Sequence, residues 1–125
     1  MKKLLLFLML LLPLYMAAEQ EAVFKVVEQM PQFPGGRDSL FQYLKENVKY
    51  PAIAQENGIQ GRVICQFDVE KDGSITNVEV VRSGGDPSLD NEAVRVIKSM
   101  PNFIPGKHKG KTVSVKYTMP INFKL

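Results

Sequence analysis

The last part of the chain carries the pattern that most restricts its fold. Between residues 113 and 123, apolar and polar side chains alternate without a break. The apolar positions are Val113, Val115, Tyr117, Met119, Ile121 and Phe123, and the polar positions beside them are Thr112, Ser114, Lys116, Thr118, Pro120 and Asn122. Successive side chains of a β-strand point to opposite faces. The pattern therefore predicts one long strand with helices on its apolar face and water on its polar face.

A β-hairpin precedes this strand. Alternating apolar residues predict one strand near residues 60–70 and a second near residues 74–83. Asp72-Gly73 lies between them, and Gly adopts the positive φ of a tight turn without steric cost. We expect the final strand to return beside one of the two hairpin strands.

Two helices are expected before the hairpin. Leu40, Leu44 and Val48 recur at helical spacing with Phe41 beside them, which predicts an amphipathic helix. Pro51 ends that helix and opens a short second one, because proline is tolerated only at the first turn of a helix.

A third helix follows the hairpin. Asp86 or Ser88 can cap its start. Its apolar stripe comprises Leu89, Ala93, Val96, Ile97 and Met100. Together these elements predict an α+β fold, in which a three-stranded antiparallel sheet has helices packed on one face.

The first 18 residues have the pattern of an export signal. Lys2 and Lys3 precede an uncharged apolar stretch of about 15 residues, shorter than the roughly 20 that a membrane-spanning helix needs. We therefore expect residues 1–18 to be a signal peptide, with an uncleaved membrane anchor as the alternative. Residues 19–36 are expected to form a short strand and a leader rich in Pro and Gly, and residues 37–125 the folded domain.

The charge argues against a nucleic-acid-binding protein, and the single cysteine excludes an internal disulfide. Without residues 1–18 the chain has 14 Lys and Arg against 13 Asp and Glu, a net charge of +1 instead of +3. A nearly neutral domain is poorly suited to bind nucleic acid through its phosphates, so no nucleic-acid partner is expected. Cys65 has no second cysteine to pair with, and its place among apolar strand residues predicts a small buried side chain.

No group of residues predicts catalysis. His108 is the only histidine, in a Lys-rich loop where we expect it to be exposed, so it does not anchor a metal cluster or a triad. Asp68, Glu70, Asp72 and Glu79 nearly match a calcium-binding loop, but such a loop needs helices on both sides and these flanks alternate as strands do. We therefore predict no enzyme activity, no cofactor and no metal, and keep a small exported calcium-binding protein as an alternative.

The final strand is the remaining candidate for function. At a sheet edge, its unpaired N–H and C=O groups can recruit a strand from a partner. Lys116 and Pro120 can equally serve to protect such an edge. A second copy of the chain can also pair there and form a homodimer.

Six motifs occur together over residues 50–123. They are YPAIAQENG (50–58), GRVICQFDVEKDG (61–73), VEVVRSGG (78–85), LDNEA (89–93), FIPG (103–106) and PINF (120–123). In this combination and order, the chain resembles the TonB C-terminal domain family.

The resemblance implies a periplasmic domain that engages TonB-dependent outer-membrane receptors. In the family, the N-terminal box of the receptor adds a strand beside the last long strand of the domain. The corresponding strand positions here are Thr112, Val113, Ser114, Val115, Lys116, Tyr117 and Thr118. The segment at the Tyr-Pro motif also approaches the partner in the family, which implies Asn47, Lys49, Tyr50 and Pro51.

The resemblance also implies a role in energised outer-membrane transport. A full energy transducer has a membrane anchor and a long Pro-rich spacer, whereas the apolar segment here is short and no such spacer follows it. We therefore expect a partner-binding module that does not transmit force on its own. The alternative is a minimal transducer anchored in the inner membrane by residues 4–18.

Overall fold

The computed structural model describes residues 22–125. Its strands are β1 (Val23–Phe24), β2 (Gly61–Val69), β3 (Ile75–Arg82), β4 (Gly106–His108) and β5 (Lys111–Phe123), and its helices are α1 (Arg37–Asn47), α2 (Ala52–Glu56) and α3 (Pro87–Lys98). The predicted α+β class is confirmed. The expected signal peptide of residues 1–18 lies outside the described residues. No helix within residues 22–125 has both the length and the apolar character needed to cross a membrane.

β2 is the central strand of the sheet. It pairs antiparallel with β5 over nine consecutive residue pairs, from Gly61 opposite Phe123 to Val69 opposite Val115, without a shift in register. Its other side pairs antiparallel with β3. The strand order is β1-β5-β2-β3. The final strand therefore returns beside the first strand of the hairpin.

Two short strands join the three strands of the predicted sheet, and one of them, β1, lies within residues 19–36, where a short strand was expected. β1 runs parallel to β5, with Val23 opposite Ser114 and Phe24 opposite Val115. β4 forms a hairpin with the start of β5, where Lys107 lies opposite Thr112. Neither strand is long enough to show alternation, because they contain two and three residues.

His108, at the end of β4, is half-buried rather than exposed as predicted. Its ring lies edge-on to Phe24, with the ring centroids 5.5 Å apart. Since Phe24 is distant in sequence, the surroundings of His108 could not be read from its own Lys-rich loop.

The core lies between the sheet and the helices. Phe67, Phe103 and Tyr117 form an aromatic cluster with ring centroids 5.6–5.8 Å apart. Ten residues of the core have no solvent exposure: Ala54, Val63, Cys65, Phe67, Val69, Leu89, Ala93, Val96, Ile97 and Val115. The prediction that Cys65 is a small buried side chain is confirmed, and burial, with a smaller effect of the Asp90 charge, raises the pKa of its thiol to about 11.

α3 begins where the sequence indicated. Asp86 is its N-cap, and the carboxylate accepts a hydrogen bond of 2.8 Å from the Ser88 backbone N–H. Hydrogen bonds from the hydroxyl and the backbone N–H of Ser88 lower the pKa of Asp86. Of the two possible caps, the structure therefore uses Asp86.

The second face of the sheet is less open to water than its polar side chains suggested. Asp68 is only 4% exposed and Ser114 only 2%. The Asp68 carboxylate accepts a hydrogen bond of 2.9 Å from the Asn77 side chain, and the Lys116 ammonium lies 3.5 Å from its other oxygen. The hydrogen bond and the ion pair offset part of the lost hydration, although Oδ1 of Asp68 has no hydrogen-bond partner within residues 22–125.

The tip of the β2–β3 hairpin holds the loop that leads to β4. Gly73 has a φ of +87°, and its carbonyl accepts a hydrogen bond of 2.8 Å from the Phe103 N–H. A Cβ added to Gly73 would lie 2.0 Å from the Phe103 carbonyl oxygen. Gly73 therefore serves both the turn and the close approach of a second backbone segment.

Replacing Gly73 with Ala tests this contact. We expect Gly73→Ala to lower the free energy of unfolding by more than the roughly 1–2 kcal/mol that a left-handed backbone costs an ordinary residue. Gly110→Ala is the matched control, because Gly110 has a φ of +77° and a Cβ there would meet nothing within 4 Å. Equal losses for the two variants in urea denaturation would show that the Phe103 contact contributes nothing.

Candidate partner-binding edge

The outer side of β5 divides into a covered half and an open half. Ser114 and Val115 pair with β1 on that side. β2 pairs with the opposite side of β5, where Val69 lies opposite Val115. Residues 111–113 lie beyond the end of the β2 pairing and form a hairpin with β4. From Lys116 to Phe123, no strand other than β2 pairs with β5 within residues 22–125. The main-chain groups on the outer side of residues 116–123 are therefore open to a further strand.

The opposite edge of the sheet, β3, is irregular. Its pairing with β2 shifts register twice, between Ile64 and Cys65 and between Gln66 and Asp68. In both places β3 supplies the extra residue, and Asn77 has a φ of +54°. Such bulges twist a strand and discourage edge-to-edge pairing. The open half of β5 has no shift, so it is the better template for a guest strand.

Pro120 indicates how the open half of β5 is oriented. It lies opposite Ile64 within a continuous ladder, so its missing N–H does not interrupt the strand. Proline is tolerated in a strand where the absent N–H would face an unpaired side. Because the direction of the backbone groups alternates, the N–H groups of Lys116, Thr118 and Asn122 are expected to face outward with it.

The segment between α1 and α2 is held against α3 through its backbone. The Lys49 N–H donates to the Glu92 carboxylate over 2.6 Å, and Arg95 donates to the Asn47 carbonyl oxygen over 2.8 Å. Arg95 also donates to both oxygens of Glu92, over 2.6 and 2.8 Å. The side chain of Lys49 is exposed. The Asn47 side chain also donates to the Tyr43 carbonyl oxygen over 2.8 Å, so the exposed Lys49 side chain is the part of Asn47 and Lys49 most open to a partner.

Tyr50 connects this segment to the end of β5. Its hydroxyl donates to the Ile59 carbonyl oxygen, and its ring packs edge-on against Phe123 with centroids 5.7 Å apart. Pro51 is the N-cap residue of α2.

The predicted site residues thus form two separate groups. Asn47, Lys49, Tyr50 and Pro51 are grouped at the Phe123 end of β5. At about 3.3 Å per residue, Thr112 lies roughly 35 Å away at the other end of the strand. Only Lys116, Tyr117 and Thr118 of the predicted strand positions belong to the open half.

The acidic residues of the calcium-like loop have other partners. Glu70 accepts hydrogen bonds from the hydroxyls of Thr76 and Ser114, over 2.6 and 3.0 Å. Asp72 accepts from Ser74 at the hairpin turn. The loop joins two strands, not two helices, and the part of the chain that the structure describes contains no cluster of three or more His, Cys, Asp or Glu able to hold a metal. No observation favours a calcium site.

The family model described as Gram-negative bacterial TonB protein C-terminal matches residues 46–125. This chain belongs to the TonB C-terminal family. It is 35% identical over 77 residues to the protein tonB2 of Pseudomonas aeruginosa, covering 62% of this chain and 28% of that protein. It is 36% identical over 77 residues to Protein TonB of Helicobacter pylori, covering 62% and 26%. The chain thus spans about a quarter of the length of these relatives.

Solved TonB C-terminal domains have the same fold. The solution structure of residues 194–285 of Helicobacter pylori TonB superposes with a TM-score of 0.52 at 30% identity, covering 70% of this chain and 90% of that domain. The Pseudomonas aeruginosa TonB domain also superposes with a TM-score of 0.52, at 32% identity, covering 62% and 77%. The TonB family predicted from the motifs is therefore confirmed.

The pH dependence of stability tests how α3 holds the α1–α2 segment of this TonB domain. Partial burial raises the pKa of Glu92, but the hydrogen bonds from Arg95 and the Lys49 N–H outweigh it, so the pKa lies below its ordinary value of 4.5. A lowered pKa stabilises the fold above the ordinary value, and this contribution is lost as pH falls through the folded pKa.

We therefore expect Glu92→Gln to be less stable than the wild type at neutral pH, by up to about 1 kcal/mol. The gap should close in acid, below the folded pKa. Chemical denaturation over a pH series measures it. Glu46→Gln is the control, because Glu46 accepts only from the neighbouring Gln42 side chain. A gap that is the same at every pH would contradict the role of the Glu92 charge.

Proposed function

We propose that this TonB C-terminal domain binds an extended N-terminal segment of a TonB-dependent outer-membrane receptor by strand addition. The guest strand pairs with the open half of β5, residues 116–123. The domain acts in the periplasm as a binding module in energised outer-membrane transport, and not as an enzyme. The observation that carries this proposal is a straight, unpaired β5 edge in a chain that belongs to the TonB family.

The length of the open edge supports this mode of binding. Eight residues, from Lys116 to Phe123, lack a second strand partner in the described part of the chain. At about 3.3 Å per residue they extend over roughly 26 Å. A peptide strand of that length can form several main-chain hydrogen bonds, each contributing about 1 kcal/mol net.

Because β1 pairs with Ser114 and Val115, we place the binding site further along β5 than the sequence predicted. Thr112, Val113, Ser114 and Val115 belonged to the predicted site, but their strand already pairs with β4 and β1. A guest strand could reach Ser114 and Val115 only by displacing β1. We therefore place the guest beside Lys116, Tyr117 and Thr118 and onward to Phe123, where Tyr50 closes the end of the edge.

The orientation of Pro120 supplies the test. A proline at Thr118, two residues earlier, should also direct its missing N–H outward, and Thr118 is exposed. We expect Thr118→Pro to fold but to weaken binding of a receptor box peptide at least tenfold, because 1.4 kcal/mol corresponds to a factor of ten. Isothermal titration with synthetic N-terminal peptides of TonB-dependent receptors from the same organism measures this.

Thr118→Ala is the matched control. It removes the same side chain and its hydrogen bond of 3.2 Å from Gln66 but keeps the backbone N–H. We expect it to bind as the wild type does. Binding that is unchanged in Thr118→Pro, at unchanged melting temperature, would rule out pairing at this edge.

A further inference from the structure

α1 leaves an apolar surface uncovered. None of its residues is fully buried, and Phe41 is 59% exposed. The helix is nevertheless anchored, because the Tyr43 hydroxyl donates to the Ser99 carbonyl oxygen over 2.7 Å. The centroid of the Tyr43 ring also lies 5.5 Å from that of Phe33. The exposed apolar face of α1 is therefore a fixed part of the surface.

This face forms one wall of a groove whose other wall is the end of β5. We call it the α1–β5 groove. Its helix wall includes Phe41, Leu44 and Lys45, and its strand wall is the continuous run of residues 120–124. Alternate residues of a strand point to opposite faces, so five successive residues can border one cavity only where it lies at the strand edge. The inner edge is paired with β2, which places the groove on the open side.

The groove is large enough for side chains of a guest strand. Its volume is about 520 Å³. Its apolar surface comes mainly from the exposed Phe41 and the half-buried Leu44, because Ile121 and Phe123 beneath them are only 2% and 3% exposed. A strand added beside residues 116–123 would direct alternate side chains to the helix side of the sheet, and hence into this groove.

The charged side chains that line the groove are both cationic. Lys45 lies on the helix wall and Lys124 on the strand wall, and no Asp or Glu lines it. Neither lysine forms an ion pair within residues 22–125. The groove is therefore complementary to a partner that presents apolar and acidic side chains together.

We propose that the α1–β5 groove selects the guest segment by its side chains. This inference rests on the proposed function and adds what the edge itself cannot provide, because main-chain pairing gives affinity and side-chain pockets give specificity. The guest places an apolar side chain against Phe41 and Leu44. An Asp or Glu within two residues of it faces Lys45 and Lys124.

Most of this helix wall lies before the segment that the family model matches. The match to the TonB family begins at residue 46, whereas α1 comprises Arg37–Asn47. Phe41, Leu44 and Lys45 are thus supplied by the segment that precedes the match. The groove therefore combines a strand wall inside the matched segment with a helix wall that begins before it.

A displayed library of random peptides, each about ten residues long so as to cover the open edge, provides the probe. Peptides are selected on the wild-type protein and kept only if they fail to bind Thr118→Pro. We expect the retained peptides to carry an apolar residue with an Asp or Glu within two positions. Phe41→Ala should weaken them at least about tenfold. Lys45→Glu with Lys124→Glu should weaken them and reverse the salt dependence.

Two variants outside the groove serve as controls. Ile53→Ala removes an apolar side chain on α2 that is 70% exposed, and Lys98→Glu reverses an exposed charge on α3. Both should leave peptide binding unchanged. Melting temperatures of all variants show whether any loss of binding reflects unfolding.

Three outcomes would overturn the inference. Retained peptides that bind Phe41→Ala and the double lysine variant as tightly as the wild type would leave strand addition intact and remove the role of the groove. Self-association that depends on Phe41 in sedimentation, with peptide binding unaffected, would assign the groove to a second copy of the chain. Recovery of no peptide that depends on Thr118 would overturn the proposed function itself.

Discussion

β2 and β5 pair residue by residue from Gly61 with Phe123 to Val69 with Val115, and nothing interrupts the register. This ladder sets the rest of the architecture. It directs Phe67 and Tyr117 to the same face, where they meet Phe103 and the helices. It also occupies only one side of β5, so the main-chain groups on the other side are either paired with β1 or open to solvent. Since a shift by one residue would exchange the faces of the whole strand, the long apolar alternation specifies the register strongly.

The two edges of the sheet differ for physical reasons. β3 carries two extra residues relative to β2, so its outer side is bent and a poor template for pairing. β5 is regular, and β1 closes its outer side at Ser114 and Val115. The open half that remains adjoins α1, whose exposed Phe41 and Lys45 face the same groove as residues 120–124. Backbone pairing and side-chain selection can therefore act on one guest strand.

The elements that the sequence predicted are those whose signals are local. Alternation predicted β5 and β2, Asp72-Gly73 predicted the hairpin, and an acidic cap before a proline predicted the start of α3. β1 escaped prediction as a sheet partner because two residues show no alternation and their partners lie about ninety positions later in the chain. For that reason the covered half of β5 was included in the predicted site. The groove forms where α1 meets the end of β5, and no local sequence pattern indicates that contact. The position of Phe41 beside the apolar stripe of α1 was nevertheless a sequence signal that this helix has an exposed apolar side chain.

Amide hydrogen exchange of the free protein, followed residue by residue by NMR, tests most directly that the open half of β5 is unpaired in solution. We predict that exchange alternates along this half: the inward amides of Tyr117, Met119, Ile121 and Phe123 exchange slowly, and those of Lys116, Thr118 and Asn122 exchange rapidly. Ser114, beside β1, should exchange more slowly than Thr118. Uniformly slow exchange from residue 116 to residue 123 would show that another strand already occupies the edge, and would contradict the account.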